Sequence, residues 1–521
     1  MSSPKRPDWL ETLHAFIHPR VITMLFLGFS AGLPILLIFS SLSLWLREAD
    51  VSRSAVTFFS WAALGYSFKF VWAPLIDKLP VPVLNRLLGR RRSWLLVAQL
   101  AVVLAILWMS SIDPAAGQLS LTLMALAAVL LGFSSATQDI VIDAYRIESA
   151  DESLQALMSS SYIAGYRIGM LLAGAGALFL ADAFGTSMDA YDYSAWKWAY
   201  RIMAMSMGVG ILTTLLIPEP ESTSRAGSHL SRRDSQSLLF LFFCVVLAFI
   251  GGYLLTQGLS DHSPALAALL HNQALASVLV ATARLAAALF AAYLVTRLLV
   301  KFHWIDASLV TTSYIDPLRD FFRRYGMGLA WVLLALISVY RMSDIVLGVI
   351  SNVFYQDMGY SKTDIAKIVK TYGLLMTITG GFLGGILSVR FGVMRILLLG
   401  AILGAATNLL FMLLAGSTPT QWALIGVISA DNLSAGLASA AFIAVLSSLT
   451  NGQFTATQYA IFSSLMTLFP KVLGGYSGSM VDSIGYSSFF FTTALLGLPA
   501  IILIMLARGR LELAPVEIKA G

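Results

Sequence analysis

Asp139 and Asp143 stand one helical turn apart inside the apolar stretch "GFSSATQDIVIDAYRIE", which runs from Gly132 to Glu148. Residues at i and i+4 share one face of a helix, and like charges there repel, so something besides each other must stabilise them. The chemistry open to such a pair is proton exchange, because a carboxylate beside a cation takes or releases a proton as that cation is engaged elsewhere. Arg146 lies one turn from Asp143 and is placed to brace it. Arg167, in "SSSYIAGYRIGMLLAG", lies on the next helix at a similar depth and is the expected partner of Asp139. The plainer alternative for both carboxylates is a latch between helix ends.

Enzyme chemistry would need a further constellation. His14, His18, His229, His262, His271 and His303 all fall in the leader, in linkers or at loop edges. Neither metal-ligand spacing nor a nucleophile elbow nor a phosphate-binding loop occurs. The single cysteine, Cys244, sits in the apolar run "FLFFCVVLAF", which excludes an intramolecular disulfide. A membrane-embedded enzyme acting on cell-wall sugars is therefore the weaker class, and neither metal nor cofactor is expected.

The elements that must position these residues are membrane spans. The chain of 521 residues is 58% hydrophobic and 12% charged, with a mean hydropathy of +0.79. A soluble chain is typically about 45 to 50% apolar and about 25% charged. A span needs about 20 mostly apolar residues. Six such runs fill the first part of the chain, at 21–46, 55–77, 94–112, 119–146, 157–181 and 198–217. Two follow at 238–256 and 273–300, and six more at 327–350, 364–389, 393–415, 420–449, 456–482 and 486–507. The expected layout is a cytoplasmic amphipathic leader (1–20), a six-helix half (21–217), a linker with two inserted transmembrane helices (218–326), a second six-helix half (327–507) and a cytoplasmic tail (508–521). That is an all-α membrane protein of about 14 spans. In the leader, Trp9, Leu10, Leu13, Phe16 and Ile17 recur at helical spacing.

Charge checks the count. The net charge is +6, but Lys and Arg collect in alternate loops as cytoplasmic charges do, so the basicity reads as topology and not as a nucleic-acid site. Arg20, the group Lys78, Arg86 and Arg90 to Arg92, the linker group Arg225, Arg232 and Arg233, and the group Arg319, Arg323 and Arg324 all fall on one side. The opposite connections "SSIDPAAGQLS", "TQGLSDHSPALAALLHNQ" and "AGSTPTQ" hold neither Lys nor Arg. Both termini are expected in the cytoplasm.

An ionisable side chain at a span centre costs at least about 2.5 to 3.5 kcal/mol unless paired or wetted. Besides Asp139, Asp143 and Arg167, the spans hold Lys69, Arg284, Arg341, Asp344, Lys370, Asp431 and Lys471. Lys69 reads either as a brace or as a cargo contact. Arg284, on an inserted helix, reads as structural. Asp344 follows Arg341 by one turn, so a self-satisfied pair and a cavity-lining role both stand. Tyr66, Trp72, Tyr162, Tyr166, Tyr372 and Tyr459 could stack on sugar rings, with Tyr162 and Tyr166 the ones kept for that role. Gly165, Gly169, Ala173 and Gly174, and the series "GGFLGG" at Gly380 to Gly385, suit close helix packing.

Two six-helix halves around a linker resemble the major facilitator superfamily, whose halves are related by an axis along the membrane normal. The loop "FVWAPLIDKLPVPVLNRLLGRRR" resembles that superfamily's gating motif, with Asp77 at the acidic position and Arg90, Arg91 and Arg92 as the basic run. The second-half counterpart "GGILSVRFGVMR" keeps Gly385, Arg390 and Gly392 but has Val389 at the acidic place. More specifically, "GFSAGLP", "FKFVWAPLID", "GRRRSW", "SSATQDIVIDAYRIE", "GYRIGML", "PLRDFFRRYG" and "NGQFTATQYAIFSSL" resemble, in order and spacing, the AmpG family of muropeptide permeases. Departures are Ser93, where that family usually has Gly, and Asp431, where Glu is common. The resemblance implies proton-coupled import of anhydro-muropeptides (GlcNAc-anhydroMurNAc with or without peptide) across a bacterial inner membrane, for peptidoglycan recycling and with it β-lactam resistance. It implies no cofactor beyond the proton gradient, and a monomer whose partners are cargo, protons and lipids. Asp139 and Asp143 would couple protons, and Gln138, Arg167, Tyr162, Tyr166, Lys69, Asp344 and Asp431 would line the cargo site. A different anionic cargo, a peptide or acetyl-CoA, is the alternative within transporters.

Overall fold

A computed structural model describes residues 14–51, 64–187, 190–220, 231–270, 273–361, 364–474 and 476–511. Most of the leader and tail expectations, and the start of the second run, lie outside these residues. The helices that carry the argument are α1 (Pro19–Ile38), α2 (Arg90–Ser110), α3 (Gln118–Ser149) and α4 (Glu152–Leu171) in the first half. Then come α5 (Arg232–Leu255) and α6 (Gln273–Lys301), the inserted pair. The second part contributes α7 (Asp316–Val339), α8 (Met342–Asp357), α9 (Gly373–Phe391), α10 (Val393–Ala415), α11 (Gln421–Ser448) and α12 (Thr455–Gly474). Among the described residues, twelve helical stretches are long and apolar enough to cross a membrane. The expected runs 55–77 and 456–482 are not among the twelve, and each includes residues outside the description. Among the described residues the regular structure is helical, as the sequence predicts; the figure of fourteen spans stays an expectation.

Local chemistry explains the helix ends. Pro19 opens α1, where a missing N–H costs nothing, and the His18 side chain accepts from the Arg20 amide at 3.2 Å. Glu219 accepts from the amides of Arg91 and Arg92 at 2.8 and 3.1 Å, capping α2 where the helix dipole favours an anion. Gly326, at φ 71°, breaks α7 between its basic first segment and its apolar remainder.

Close packing of α1 on α4 holds the first half. A Cβ on Gly28 or Gly32 would lie 2.2 and 2.0 Å from the carbonyl oxygens of Tyr162 and Tyr166, and one on Gly165 would lie 1.9 Å from that of Leu25. Only glycine allows this backbone approach, and it fixes where Tyr162 and Tyr166 stand. Gly380 and Gly436 serve α9 against α11 in the same way. The inserted helices α5 and α6 pack on each other and lean on the first half through Leu238, Leu241 and Leu299. Phe243, Leu247, Phe290 and Leu294 on them are exposed apolar groups, as on a lipid-facing hairpin.

Candidate functional site

The two halves are joined at the end that carries the basic loops. Asp77 sits at the end of the short helix Ala73–Lys78, and its carboxylate accepts from Arg91 at 2.9 Å. It also accepts from the backbone amides of Ala456 and Thr457 at 3.0 and 2.8 Å and from the Thr457 hydroxyl at 2.6 Å. A first-half acid therefore caps the first turn of α12 in the second half, where orphan amides and the helix dipole favour an anion. Arg91 is completed by Glu148 at 2.5 Å, Arg90 donates to the Asp77 carbonyl at 2.8 Å, and Arg92 donates to the carbonyls of Thr214 and Leu215. Beside this latch, Ser160 of α4 packs directly on Gly385 of α9, where a Cβ would meet the serine oxygen at 2.1 Å. All four residues of the expected gating motif thus meet at this end of the first half, Arg91 and Asp77 at the joint itself.

One level deeper lies the charged cluster of α3. Asp143 pairs with Arg146 at 3.1 Å and with Lys69 at 3.8 Å, all three buried. The Arg146 guanidinium donates to Ser159 at 3.0 Å and lies 5.2 Å from the Tyr459 ring and 6.0 Å from the Tyr162 ring, so it joins α3, α4 and α12. Lys69 stands in the short turn Lys69–Val71, and it is the cation that acts most strongly on Asp139 as well. Asp139 itself is buried, and its Oδ1 has no hydrogen-bond partner. The Gln138 amide beside it is fully buried with neither its oxygen nor its nitrogen bonded. Buried polar atoms left open cost about 1 to 3 kcal/mol each, a cost met where a ligand or water fills the space.

The expected Asp139–Arg167 pair does not form. Tyr162 and Tyr166, with rings 5.9 Å apart, present the face of α4 that acts on Asp139. Arg167 is turned about 100° further round the helix from Tyr166, and the charge that acts on it most strongly is that of Arg341 in the second half. Its hydrogen bond among the described residues goes to Met170 Sδ at 3.9 Å. Counting residues along a helix does not give the rotation about its axis, and that rotation decides which groups meet.

The second half holds its own acidic pair. Asp344 lies 3.5 Å from Arg341, and Asp431 accepts from Thr407 at 3.3 Å while feeling both Asp344 and Arg341. These groups are half-buried, unlike the fully enclosed α3 cluster. Other expectations resolve as packing. Trp72 donates to Thr137 at 3.1 Å and lies on Phe133, Tyr66 bonds Ser135, and Tyr372 bonds Ser429. Lys370 donates to Asn352 at 2.8 Å, and Lys471 reaches across the halves to Ser67 at 3.3 Å. Arg284 lies over the Tyr253 ring at 4.1 Å and donates to Ser260, tying α6 to the end of α5. Among the described residues there is no group of three or more His, Cys, Asp or Glu that could hold a metal ion.

Glu148, Glu219 and Thr457 are the joint residues missing from the sequence reading. Glu148 carried a signal, standing at the end of the stretch that holds both aspartates, whereas the backbone amides of α12 carry none.

Comparison with known proteins decides the family. The Major Facilitator Superfamily model matches residues 22–315 and 321–520. A putative transporter AmpG 4 of Rickettsia felis is 30% identical over 486 residues, 93% of this chain and 96% of the relative. The chain belongs to the AmpG family of the Major Facilitator Superfamily. The anhydromuropeptide permease of Escherichia coli K12 is 28% identical over 503 residues, covering 96% of this chain and 82% of the relative. Among solved structures, the proton:xylose symporter XylE bound to 6-bromo-6-deoxy-D-glucose matches with a TM-score of 0.58 at 13% identity, over 94% of this chain and 96% of that one. The E. coli fucose:proton symporter FucP matches at 0.57 and 13%, over 95% and 99%. At such identities these two show the fold alone. As an AmpG-family member the chain is a multi-pass membrane transporter and not an enzyme.

Proposed function

We propose that this protein imports anhydro-muropeptides, GlcNAc-anhydroMurNAc with or without peptide, from periplasm to cytoplasm in symport with protons. The observation that carries the reading is the likeness to the E. coli anhydromuropeptide permease along nearly the whole chain. The groups between the halves suit that cargo: Tyr162 and Tyr166 for pyranose faces, Arg167 for carboxylates, and the open amide of Gln138 for an acetamido or peptide group. The layout is a first half at 21–217, a linker with its inserted hairpin at 218–326 and a second half at 327–507, working as a monomer in a bacterial inner membrane with both termini cytoplasmic.

In this reading the basic end is the cytoplasmic end, and the Asp77–α12 latch closes it. Cargo enters from the opposite side and leaves when that latch opens. Asp139 carries the proton, because its carboxyl group has an acceptor to spare beside a carboxylate, Asp143, that is already paired. Lys69 pairs with Asp143 and acts on Asp139, and so links the charge on one to the pairing of the other. Lys69, not Arg167, is thus the cation through which Asp139 acts. Asp344 and Asp431 extend the polar lining in the second half.

Labelled GlcNAc-anhydroMurNAc, a labelled dipeptide and labelled acetyl-CoA, offered separately to proteoliposomes, test the cargo. The disaccharide should enter intact and be competed by its peptide-bearing forms. Entry of only the dipeptide or only acetyl-CoA overturns the cargo, and release of free sugar by the pure protein overturns the transporter reading.

A further inference from the structure

Two arginines, one from each half, meet with hydrogen-bonding capacity in hand. Arg167 lies near the end of α4, and Arg341 is the N-cap of α8. Arg341 is drawn to α11 by a 2.7 Å hydrogen bond from its Nη1 to Ser439, and α11 packs against α4. Their charges act on each other, and Ser439, which holds Arg341, lies on the helix that packs against the one bearing Arg167. Arg167 spends one weak bond on the Met170 sulfur. The Arg341 Nε is turned to Asp344, at 3.5 Å too long for a hydrogen bond, and Nη1 is the one nitrogen of this guanidinium with a hydrogen bond among the described residues. A guanidinium carries five N–H donors in a fixed fork that fits a carboxylate.

The groups packed around this place are Tyr166 beside Arg167, Asp344 and Tyr340 beside Arg341, and Asp431 within its field. Tyr340 is already committed to the Leu397 carbonyl at 3.1 Å. Asp344 engages Arg341 through Nε, which leaves Nη2 without a hydrogen-bond partner among the described residues.

We propose that Arg167 and Arg341 form a clamp for a carboxylate of the cargo, one guanidinium from each half. This rests on the muropeptide reading and deepens it, for it gives Arg341, a residue that the i,i+3 spacing makes look self-satisfied, a direct part in binding. An anion between the two removes their repulsion and bonds the halves to each other. Carboxylate binding thereby becomes an interaction across the joint whose geometry changes when the halves rock, which is what couples occupancy to conformation. The probe is a matched pair: GlcNAc-anhydroMurNAc, whose lactyl carboxylate is its one charge, and the same sugar with that group converted to the carboxamide.

Equilibrium binding of both sugars is measured on the full chain in nanodiscs, for wild type, Arg341→Gln, Arg341→Lys and the double variant Arg341→Gln/Asp344→Asn. Wild type should prefer the acid. Arg341→Gln should weaken acid binding by about tenfold or more, the scale of a charge-assisted hydrogen bond, and leave amide binding within about threefold. Arg341→Lys should recover only part of the preference, having the charge without the fork. The double variant removes the stranded Asp344 charge, so it separates a folding defect from a binding one; the clamp requires that its acid preference stay lost. Return of the acid preference in the double variant, or its survival in Arg341→Gln, overturns the clamp. Wild-type protein that binds both sugars equally overturns the clamp alone, and wild-type protein that binds neither overturns the cargo reading and the clamp with it.

Discussion

Replacing Asp77 by asparagine should open the basic end of the molecule. The carboxylate accepts four hydrogen bonds, three of them from Ala456 and Thr457 in the other half. A carboxamide keeps one acceptor oxygen but turns an NH2 towards the Thr457 amide and hydroxyl, so both bonds at Oδ2 are lost or reversed. It also removes the negative charge from the α12 N-terminus, a dipole interaction of about 0.3 to 1 kcal/mol. Hydrogen bonds to a charged group contribute about 1.5 to 3 kcal/mol each; with the two bonds at Oδ1 retained and the two at Oδ2 lost or reversed, the closed state should lose about 3 kcal/mol relative to the open one. At tenfold per about 1.4 kcal/mol, that moves the closed-to-open ratio by about a hundredfold. Spin labels at Leu87→Cys and Gln453→Cys, both exposed positions on the two sides of this joint, report the change by pulsed EPR. Wild type should give a dominant short distance, and Asp77→Asn should add a longer population. Thr457→Val should do the same more weakly. An unchanged distance distribution in Asp77→Asn would refute the latch.

Three further outcomes follow from the packing and charges. Gly32→Leu places a side chain where the Cβ alone would lie 2.0 Å from the Tyr166 carbonyl oxygen; since backbone cannot swing aside as a side chain can, the loss should reach or exceed the usual 1 to 3 kcal/mol of overpacking, about that range, read as a lowered Tm in detergent. Lys69→Met leaves Asp143 with Arg146 alone and Asp139 without its main cation; uptake should fall at least about tenfold, on the scale of a broken buried pair, while Lys69→Arg keeps more activity, and equal uptake in both variants would count against the Lys69 link. Ser187→Cys and Gly258→Cys should react with an impermeant thiol reagent from outside intact spheroplasts and Ser228→Cys should not, because the basic loops face inward; labelling at Ser228 would invert the proposed orientation.

Much of the joint could be read from spacing, and what could not has identifiable physical causes. Asp139, Asp143 and Arg146 lie on one helix, so periodicity alone relates them, and the Asp143–Arg146 pair forms as expected. The acidic and basic positions of the loop after the second run meet as Asp77 and Arg91. Missing from the sequence is the other side of the latch: its donors are backbone amides 379 and 380 residues away in the chain, invisible to any side-chain pattern. The Asp139–Arg167 pairing fails because residue counting gives position along a helix, whereas direction depends on how α4 is rotated, which the glycine contacts with α1 fix. Arg341 illustrates the same limit. Its i,i+3 acid is near, at 3.5 Å, but the spacing does not show the hydrogen bond of its Nη1 to Ser439 of α11.

Proton coupling through Asp139 is the central claim, and one measurement tests it most directly: uptake of labelled GlcNAc-anhydroMurNAc into proteoliposomes, with and without an imposed pH gradient, by wild type and Asp139→Asn of verified insertion. Wild type should concentrate the sugar only when protons can flow inward with it. Asp139→Asn, which holds the position in a permanently neutral form, should lose accumulation while keeping exchange of labelled for unlabelled sugar across the membrane. Accumulation by Asp139→Asn against its gradient, or wild-type uptake indifferent to the pH gradient, would contradict the account and leave this carboxyl group a structural one.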